Sequence, residues 1–269
     1  MMSYPLATWR LIRSAPADGA TNMAVDEAIL RAVAEGRVPP TLRFYAWDPP
    51  CLSLGRAQPV ADVDLEAVRA AGFGLVRRPT GGRAILHADE LTYSVVAPQE
   101  EPRVCGSVVE SYRRLSQGLV SGLKRLGVPA LVADERVENR RSAGPVCFEA
   151  PSDYEITVGG RKLVGSAQMR AQGVILQHGA LPLRGDIARI CSLLSAKPEP
   201  ARVRARATTV EEAVGRLVAW DEAADALAAG FAGALNLRLE PGELTSQELV
   251  WAAELRDEKH ATDTWVGRL

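Results

Sequence analysis

The chain has almost no surplus charge: 32 Lys plus Arg stand against 33 Asp plus Glu, a formal net charge of -1. That excludes the summed positive field on which nucleic-acid binding and attraction to anionic membranes depend. Long apolar runs are missing as well. No stretch reaches the ~18 uninterrupted apolar residues of a membrane-spanning helix. The opening MMSYPLATWRLIRSAP interrupts its apolar positions with polar and charged ones, unlike the core of a signal peptide. A cytoplasmic protein with no nucleic acid and no membrane among its partners is the expectation.

Metal-binding and redox patterns are absent too. The four cysteines, at 51, 105, 147 and 191, form no Cys-x-x-Cys pair, and the three histidines, 87, 178 and 260, have no i, i+4 spacing or HExxH context. Free thiols and no metal are expected. Lysine is scarce: four residues, at 124, 162, 197 and 259, against 28 arginines. Where any cation would serve, such a composition supplies arginine. Lys162, beside Gly159-Gly160, therefore points to a need for a compact ammonium whose pKa can be shifted, the plainer alternative being a solvated hairpin lysine.

What is present is globular: 269 residues, 47% apolar and 24% charged, without repeats or low complexity, enough for one large domain or two small ones. Helical spacing of Met23, Val25, Ala28, Ile29, Ala32 and Val33 predicts a helix over 22–35, capped by Thr21 or Asn22 and stopped by Gly36. LRFYAWDPP, CLSLGRAQ, GLVRR and ELTYSVV read as strands, Asp64 to Ala71 as a short helix and Ser107 to Leu126 as a long one. YEITV and RKLVGSAQ flank Gly159-Gly160, and VILQHGALPL completes a three-stranded antiparallel meander. Capping boxes at Thr209–Glu212 and Thr245–Glu248, with Asp221 as a further cap, make the C-terminal part helical. The expected class is α/β (α+β), a mixed, largely antiparallel sheet flanked by helices. The polar stretch from Ser195 divides 1–200, a catalytic domain, from 201–269, a helical extension packed on the same domain.

Three segments carry chemistry. RRPTGGR at 77–83 sets two arginines beside two glycines, so that backbone N–H groups can approach a ligand while Arg77 and Arg78 neutralise an anion; a glycine turn with exposed arginines fits the spacing equally. Cys147, in GPVCFEAPSDYE, lies in a proline-flanked loop suited to holding a nucleophilic thiol, although a small buried hydrophobe is the commoner state of a cysteine. His87 and His178 adjoin apolar strand residues and either line a pocket or satisfy a backbone carbonyl. His260 sits among charged residues and reads as solvated.

Four ordered blocks, RRPTGGRAILHADELTYS, CFEAPSDYE, GRKLVGSAQMR and LQHGALPL, resemble the biotin/lipoate protein ligase superfamily, and within it the cysteine-dependent octanoyltransferases of the Bacillus type. The resemblance spans nearly the whole chain. It implies the catalytic-domain fold of that superfamily and transfer of an octanoyl group from acyl carrier protein to a lysine of lipoyl domains, those of glycine-cleavage and 2-oxo acid dehydrogenase proteins. It implies no cofactor and no ATP. Cys147 would take the acyl group as a thioester, and Lys162 would lower the thiol pKa. Substrate-binding positions carried over with the blocks are Arg77, Arg78, Thr80, Gly81, Gly82, Arg83, His87, Gly165, Ser166, Ala167 and His178. A monomer is expected.

ATP-dependent lipoate ligases of the superfamily carry a third glycine in the loop and an aromatic before the histidine; here Arg83 follows Gly82 and Leu86 precedes His87. A ligase catalytic subunit with a separate accessory partner is the alternative. An amidotransferase drawing octanoate from a glycine-cleavage lipoyl protein is a second, and a non-catalytic lipoyl-domain binder a third. Leu75, Val76, Ile85, Tyr93 and Val164 are candidate walls of an acyl groove.

Overall fold

The computed structural model describes residues 4–132, 146 and 155–268. Helix α1 (Gly19–Ala34) begins three residues earlier than the apolar spacing predicts, because Asp18, not Thr21 or Asn22, is the cap: its carboxylate accepts Thr21 N–H at 2.7 Å. Gly36, at φ 65°, ends the segment as expected. Helix α2 (Leu65–Ala70) is capped by Asp64. Helix α3 (Val108–Arg125) carries a full capping box between Ser107 and Glu110, matching the predicted element to within a residue at each end.

The strands are β1 (Ala7–Arg13), β2 (Thr41–Tyr45), β3 (Cys51–Leu54), β4 (Gly74–Arg77), β5 (Ile85–His87), β6 (Glu90–Pro98), β7 (Leu131–Val132), β8 (Ile156–Val158), β9 (Arg161–Ala171), β10 (Val174–Pro182) and β11 (Leu237–Pro241). Eight form one sheet in the order β11-β1-β2-β6-β10-β9-β8-β7, and β4-β3-β5 form a second. In the large sheet only the β11-β1 and β1-β2 pairings are parallel. The predicted meander is β8-β9-β10.

Strands β2, β6 and β10 are buried on both faces, and the two faces differ in chemistry. On β6, Leu91, Tyr93, Val95 and Ala97 enter the core shared with α3. The alternate row begins with Thr92 and Ser94, of which Ser94 reaches across to α1. That polar row on an otherwise apolar strand locates the site.

The C-terminal part is not helical throughout. It contains α4 (Pro200–Arg206), α5 (Val210–Val214), α6 (Trp220–Leu235), α7 (Ser246–Leu255) and α8 (Asp263–Val266), but also β11, which extends the large sheet. Thr209 and Thr245 cap α5 and α7 as expected. Asp221 does not cap α6: it lies in the first turn, and the cap position is Ala219, which makes no side-chain bond. His260 is 1% exposed, with Nε2 2.8 Å from Glu27, so the solvated reading is wrong: a partner 233 positions away on α1 buries it.

Helices α3 and α6 approach closely through Gly118, Gly122 and Gly230. A Cβ on Gly230 would stand 2.2 Å from Gly122 N and 2.5 Å from Gly118 O, both backbone atoms that cannot step aside. The Gly230→Ala substitution tests this contact. Alanine gains about 1 kcal/mol of helix propensity. Forcing the helices apart loses about 1–3 kcal/mol. The net effect is therefore a loss of up to about 2 kcal/mol, and a calorimetric midpoint should fall by as much as about 4–8 °C.

Candidate active site

The site lies where α1, the large sheet and the loop from Arg77 to Arg83 meet. Its cavity is lined by Tyr45, Trp47, Arg78, Gly82, Ile85, His87, Thr92, Gly165, Ser166, Ala167, His178, Gly179 and Ala180. Of the predicted binding residues, Arg78, Gly82, His87, Gly165, Ser166, Ala167 and His178 thus share one wall. Trp47 and His87 stack with ring centroids 3.9 Å apart, and both also line a second cavity of about 250 Å³. Gly179 has no room for a side chain, since a Cβ there would meet Ser166 Oγ at 2.5 Å and Tyr93 Cε1 at 2.6 Å.

Arg77 is placed elsewhere. It is 0% exposed, and its guanidinium donates to the carbonyls of Gly55, Gln58, Trp265 and Val266, while Trp265 Nε1 donates back to Arg77 O at 2.9 Å. It is the peg that joins the loop to the C-terminal helix α8 rather than a charge turned toward a ligand. Arg78 lines the cavity, and its two Nη groups donate to the Ser53 carbonyl and hydroxyl and to Gly81 O and Arg83 O. Gly82 needs its φ of 95°. Its carbonyl lies so near Gly55 that a Cβ there would be 2.0 Å away. Gly81 is exposed and Arg83 half-buried. Thr80, 0% exposed, is bonded to His178.

Sequence reading missed the centre of the polar network. Asp26, 0% exposed on α1, is 2.8 Å from Arg43 Nη1, accepts Ser94 Oγ–H at 2.8 Å and Tyr45 O–H at 2.9 Å, and lies 3.3 Å from His178 Nδ1. The available signal was a carboxylate on the apolar stripe of NMAVDEAIL. Burial opposes the Asp26 charge, but the His178 hydrogen bond and the Arg43 guanidinium outweigh it and hold the carboxyl below its usual range. Burial dominates at His178 and lowers its pKa despite Asp26. The pair is a carboxylate beside a neutral imidazole.

Lys162 is 5% exposed, with Nζ 2.7 Å from Glu155 Oε1, so the solvated-hairpin alternative is set aside. It precedes the Gly165–Ala167 wall by three residues on β9, about 10 Å along the strand. Cys147 lies outside the described residues. Val146, immediately before it, is buried and bridged in parallel to Ala84, next to the glycine loop. Of the proposed acyl walls Ile85 lines the cavity. Tyr93 is not a lining residue but packs behind Gly179 and bonds Ser166 Oγ, and Leu75, Val76 and Val164 pack into apolar clusters, which is the phase that alternation left open. Cys51, Cys105 and Cys191 are free thiols, and burial raises the Cys51 pKa far beyond the reactive range. Among the described residues no cluster of three His, Cys, Asp or Glu could hold a metal, and no helix is long and apolar enough to cross a membrane.

The site is thus a sheet-walled cavity bordered by a glycine loop, with a buried lysine on the strand that supplies Gly165, Ser166 and Ala167. The structure superposes on lipoate-protein ligase A bound with ATP at a TM-score of 0.83 and 28% identity, covering 98% of this chain and 100% of that one. It also superposes on a bi-partite lipoate protein ligase from Thermoplasma acidophilum at 0.80 and 27%, covering 97% of each chain. The Lipoyl protein ligase A/B catalytic domain family matches residues 18–232, and the chain belongs to that family. Among curated relatives, Octanoyltransferase LipM of Symbiobacterium thermophilum is 49% identical, over 96% of this chain and 97% of that protein. Octanoyltransferase LipM of Bacillus subtilis is 42% identical over the same shares.

The depressed pKa values set the acid limb of stability. His178 binds its proton near 6.5 when unfolded and at lower pH when folded, so its contribution is complete above ~6.5 and is lost as pH falls toward the folded value; Asp26 adds a further loss below ~3.9. The thermal midpoint should therefore fall between pH 7 and pH 5, and His178→Gln should flatten that part of the profile. Differential scanning calorimetry across this range provides the measurement.

Proposed function

We propose that the chain transfers an octanoyl group from octanoyl-acyl carrier protein to the ε-amino group of a lysine on a lipoyl domain, through a thioester on Cys147 and without ATP. The observation that carries this reading is its 42–49% identity, over nearly the full length, to proteins named octanoyltransferase. The bridge from Val146 to Ala84 supports the cysteine route, because it ties the residue before Cys147 to the end of the loop that borders the cavity.

In the first half-reaction the Cys147 thiolate attacks the octanoyl carbonyl, a tetrahedral oxyanion forms, and the C–S bond to the carrier's thiol breaks. In the second the acceptor amine attacks the Cys147 thioester, loses a proton, and expels the Cys147 thiolate. Splitting the transfer in this way replaces one slow encounter between thioester and amine with two steps inside one site. The Lys162 ammonium, fixed by Glu155, is the cation proposed to favour the thiolate. The apolar wall around Ile85, Ala167 and Ala180 suits an alkyl chain.

Mass spectrometry of an apo lipoyl domain incubated with the enzyme and octanoyl-acyl carrier protein should show octanoylation without ATP. With donor alone, the adduct should lie on the peptide containing Cys147, and Cys147→Ala should abolish both adduct and transfer. Modification that appears only with free octanoate or lipoate plus ATP would replace this reading with the ligase reading, which the similarity to lipoate-protein ligase A bound with ATP favours. Transfer from an octanoylated lipoyl protein but not from the carrier would make the enzyme an amidotransferase.

A further inference from the structure

Two hydrogen-bonded chains around the cavity have the same chemical order of carboxylate, imidazole and hydroxyl. In one, Asp26 Oδ2 is 3.3 Å from His178 Nδ1 and His178 Nε2 is 2.7 Å from Thr80 Oγ1. In the other, Glu90 Oε1 is 3.1 Å from His87 Nδ1 and His87 Nε2 is 2.7 Å from Ser53 Oγ. A carboxylate only accepts, so each Nδ1 carries the ring hydrogen. In a neutral imidazole Nε2 is then an acceptor, and the hydroxyl must donate to it.

The two chains end on one segment. Thr80 lies within the loop itself. Ser53, having given its hydrogen to His87, accepts Arg78 Nη1–H at 2.6 Å, and Arg78 Nη2 donates to Gly81 O and Arg83 O at 3.0 Å each. The strands pair through backbone hydrogen bonds, to which these side-chain chains are additional. What they fix is the conformation of residues 78–83 against the cavity wall.

We propose that Asp26, acting through His178, is a positioning residue for this loop: it selects the Nδ1–H tautomer, so that Nε2 takes the Thr80 hydroxyl hydrogen and ties the loop to β10 over the acyl cavity. Glu90 and His87 perform the parallel task through Ser53 and Arg78. The expected loss of transfer rests on the cavity being the acyl site proposed above; the tautomer does not. Replacing the Asp26 carboxylate by an amide offers Nδ1 a donor, which favours the Nε2–H ring, and that ring cannot accept from Thr80.

The test combines Asp26→Asn, Thr80→Val, Thr80→Ser and the Asp26→Asn/Thr80→Val double variant. Nitrogen-15 shifts of the labelled histidines should show His178 as the Nδ1–H tautomer in the unsubstituted protein and as Nε2–H in Asp26→Asn. Thr80→Val should lower kcat/KM for octanoyl transfer by about tenfold, the loss of one buried hydrogen bond. Thr80→Ser, which keeps the hydroxyl, should recover to within about threefold, and the double variant should lose no more than the larger single loss, since both break one chain. An Nε2–H tautomer in the unsubstituted protein, an unimpaired Thr80→Val, or losses that multiply in the double variant would overturn the proposal. If Asp26→Asn does not fold, the Val and Ser pair at Thr80 still decides. If the unsubstituted enzyme transfers no octanoyl group, the functional reading fails while the nitrogen-15 spectra continue to judge the relay.

Discussion

The site depends on one buried carboxylate. Asp26 projects from α1 into a wall of sheet where water is excluded, and an unpaired charge there would not be tolerated. Its donors come from three strands: Arg43 and Tyr45 on β2, Ser94 on β6 and His178 on β10. Removing a partner from such a buried pair typically costs about 3–5 kcal/mol. The network therefore acts as a register pin. A slip of α1 by one residue turns Asp26 by about 100° away from its donors. The helix, the three central strands and, through His178, the loop at Thr80 all take their relative positions from this one group.

The same principle explains why the arginines of the glycine loop are spent internally. A loop with two adjacent glycines has little conformational preference of its own, so its shape must come from its surroundings. Arg77 anchors the loop's base to the carbonyls of Trp265 and Val266, more than 180 positions away, and Arg78 braces its interior. Planar guanidinium groups with five donors suit this work, because each can hold several backbone carbonyls at once. Charge in this segment is architecture first: of two adjacent arginines, one fastens the loop to α8 and the other braces it from within.

What could be read from the sequence divides along the range of the interaction. The starts of α3 and α7 were legible because the Ser107–Glu110 and Thr245–Glu248 boxes are closed within four residues. The β8-β9-β10 meander was legible because Gly159-Gly160 and the strand periodicity sit side by side. The blocks that line the cavity were found as motifs. Asp26, Trp47 and Ser53 were not, since their meaning lies in partners across the fold: Trp47 is defined by its stack on His87, and Asp26 by residues up to 152 positions distant; Glu90, inside the first block and three residues from its partner His87, was passed over. His260 failed for the same reason: Glu27 on α1, which it shares with its neighbour Lys259, is 233 positions away. At Arg77 the residue type was noticed and the partner mistaken, because a guanidinium satisfies a row of carbonyls as readily as an anion.

Lys162 shows how composition and burial inform each other. Of the four lysines, Lys124 and Lys197 are exposed, Lys259 is half-buried, and Lys162 alone is buried. The rarest cation of the chain thus occupies the slot where a cation is hardest to place. An isolated ammonium is costly to bury, and Glu155, 2.7 Å away, is the counter-ion that lets one sit there. The backbone around it is equally constrained: Lys162 O accepts Thr208 N–H at 3.0 Å, and the residue bridges Ala207 while β9 pairs with β8. Arginine at this position would bring five donors in a fixed plane to a buried slot that holds a compact ammonium. A chain that uses arginine nearly everywhere therefore keeps lysine here because the slot requires a small, rotatable cation.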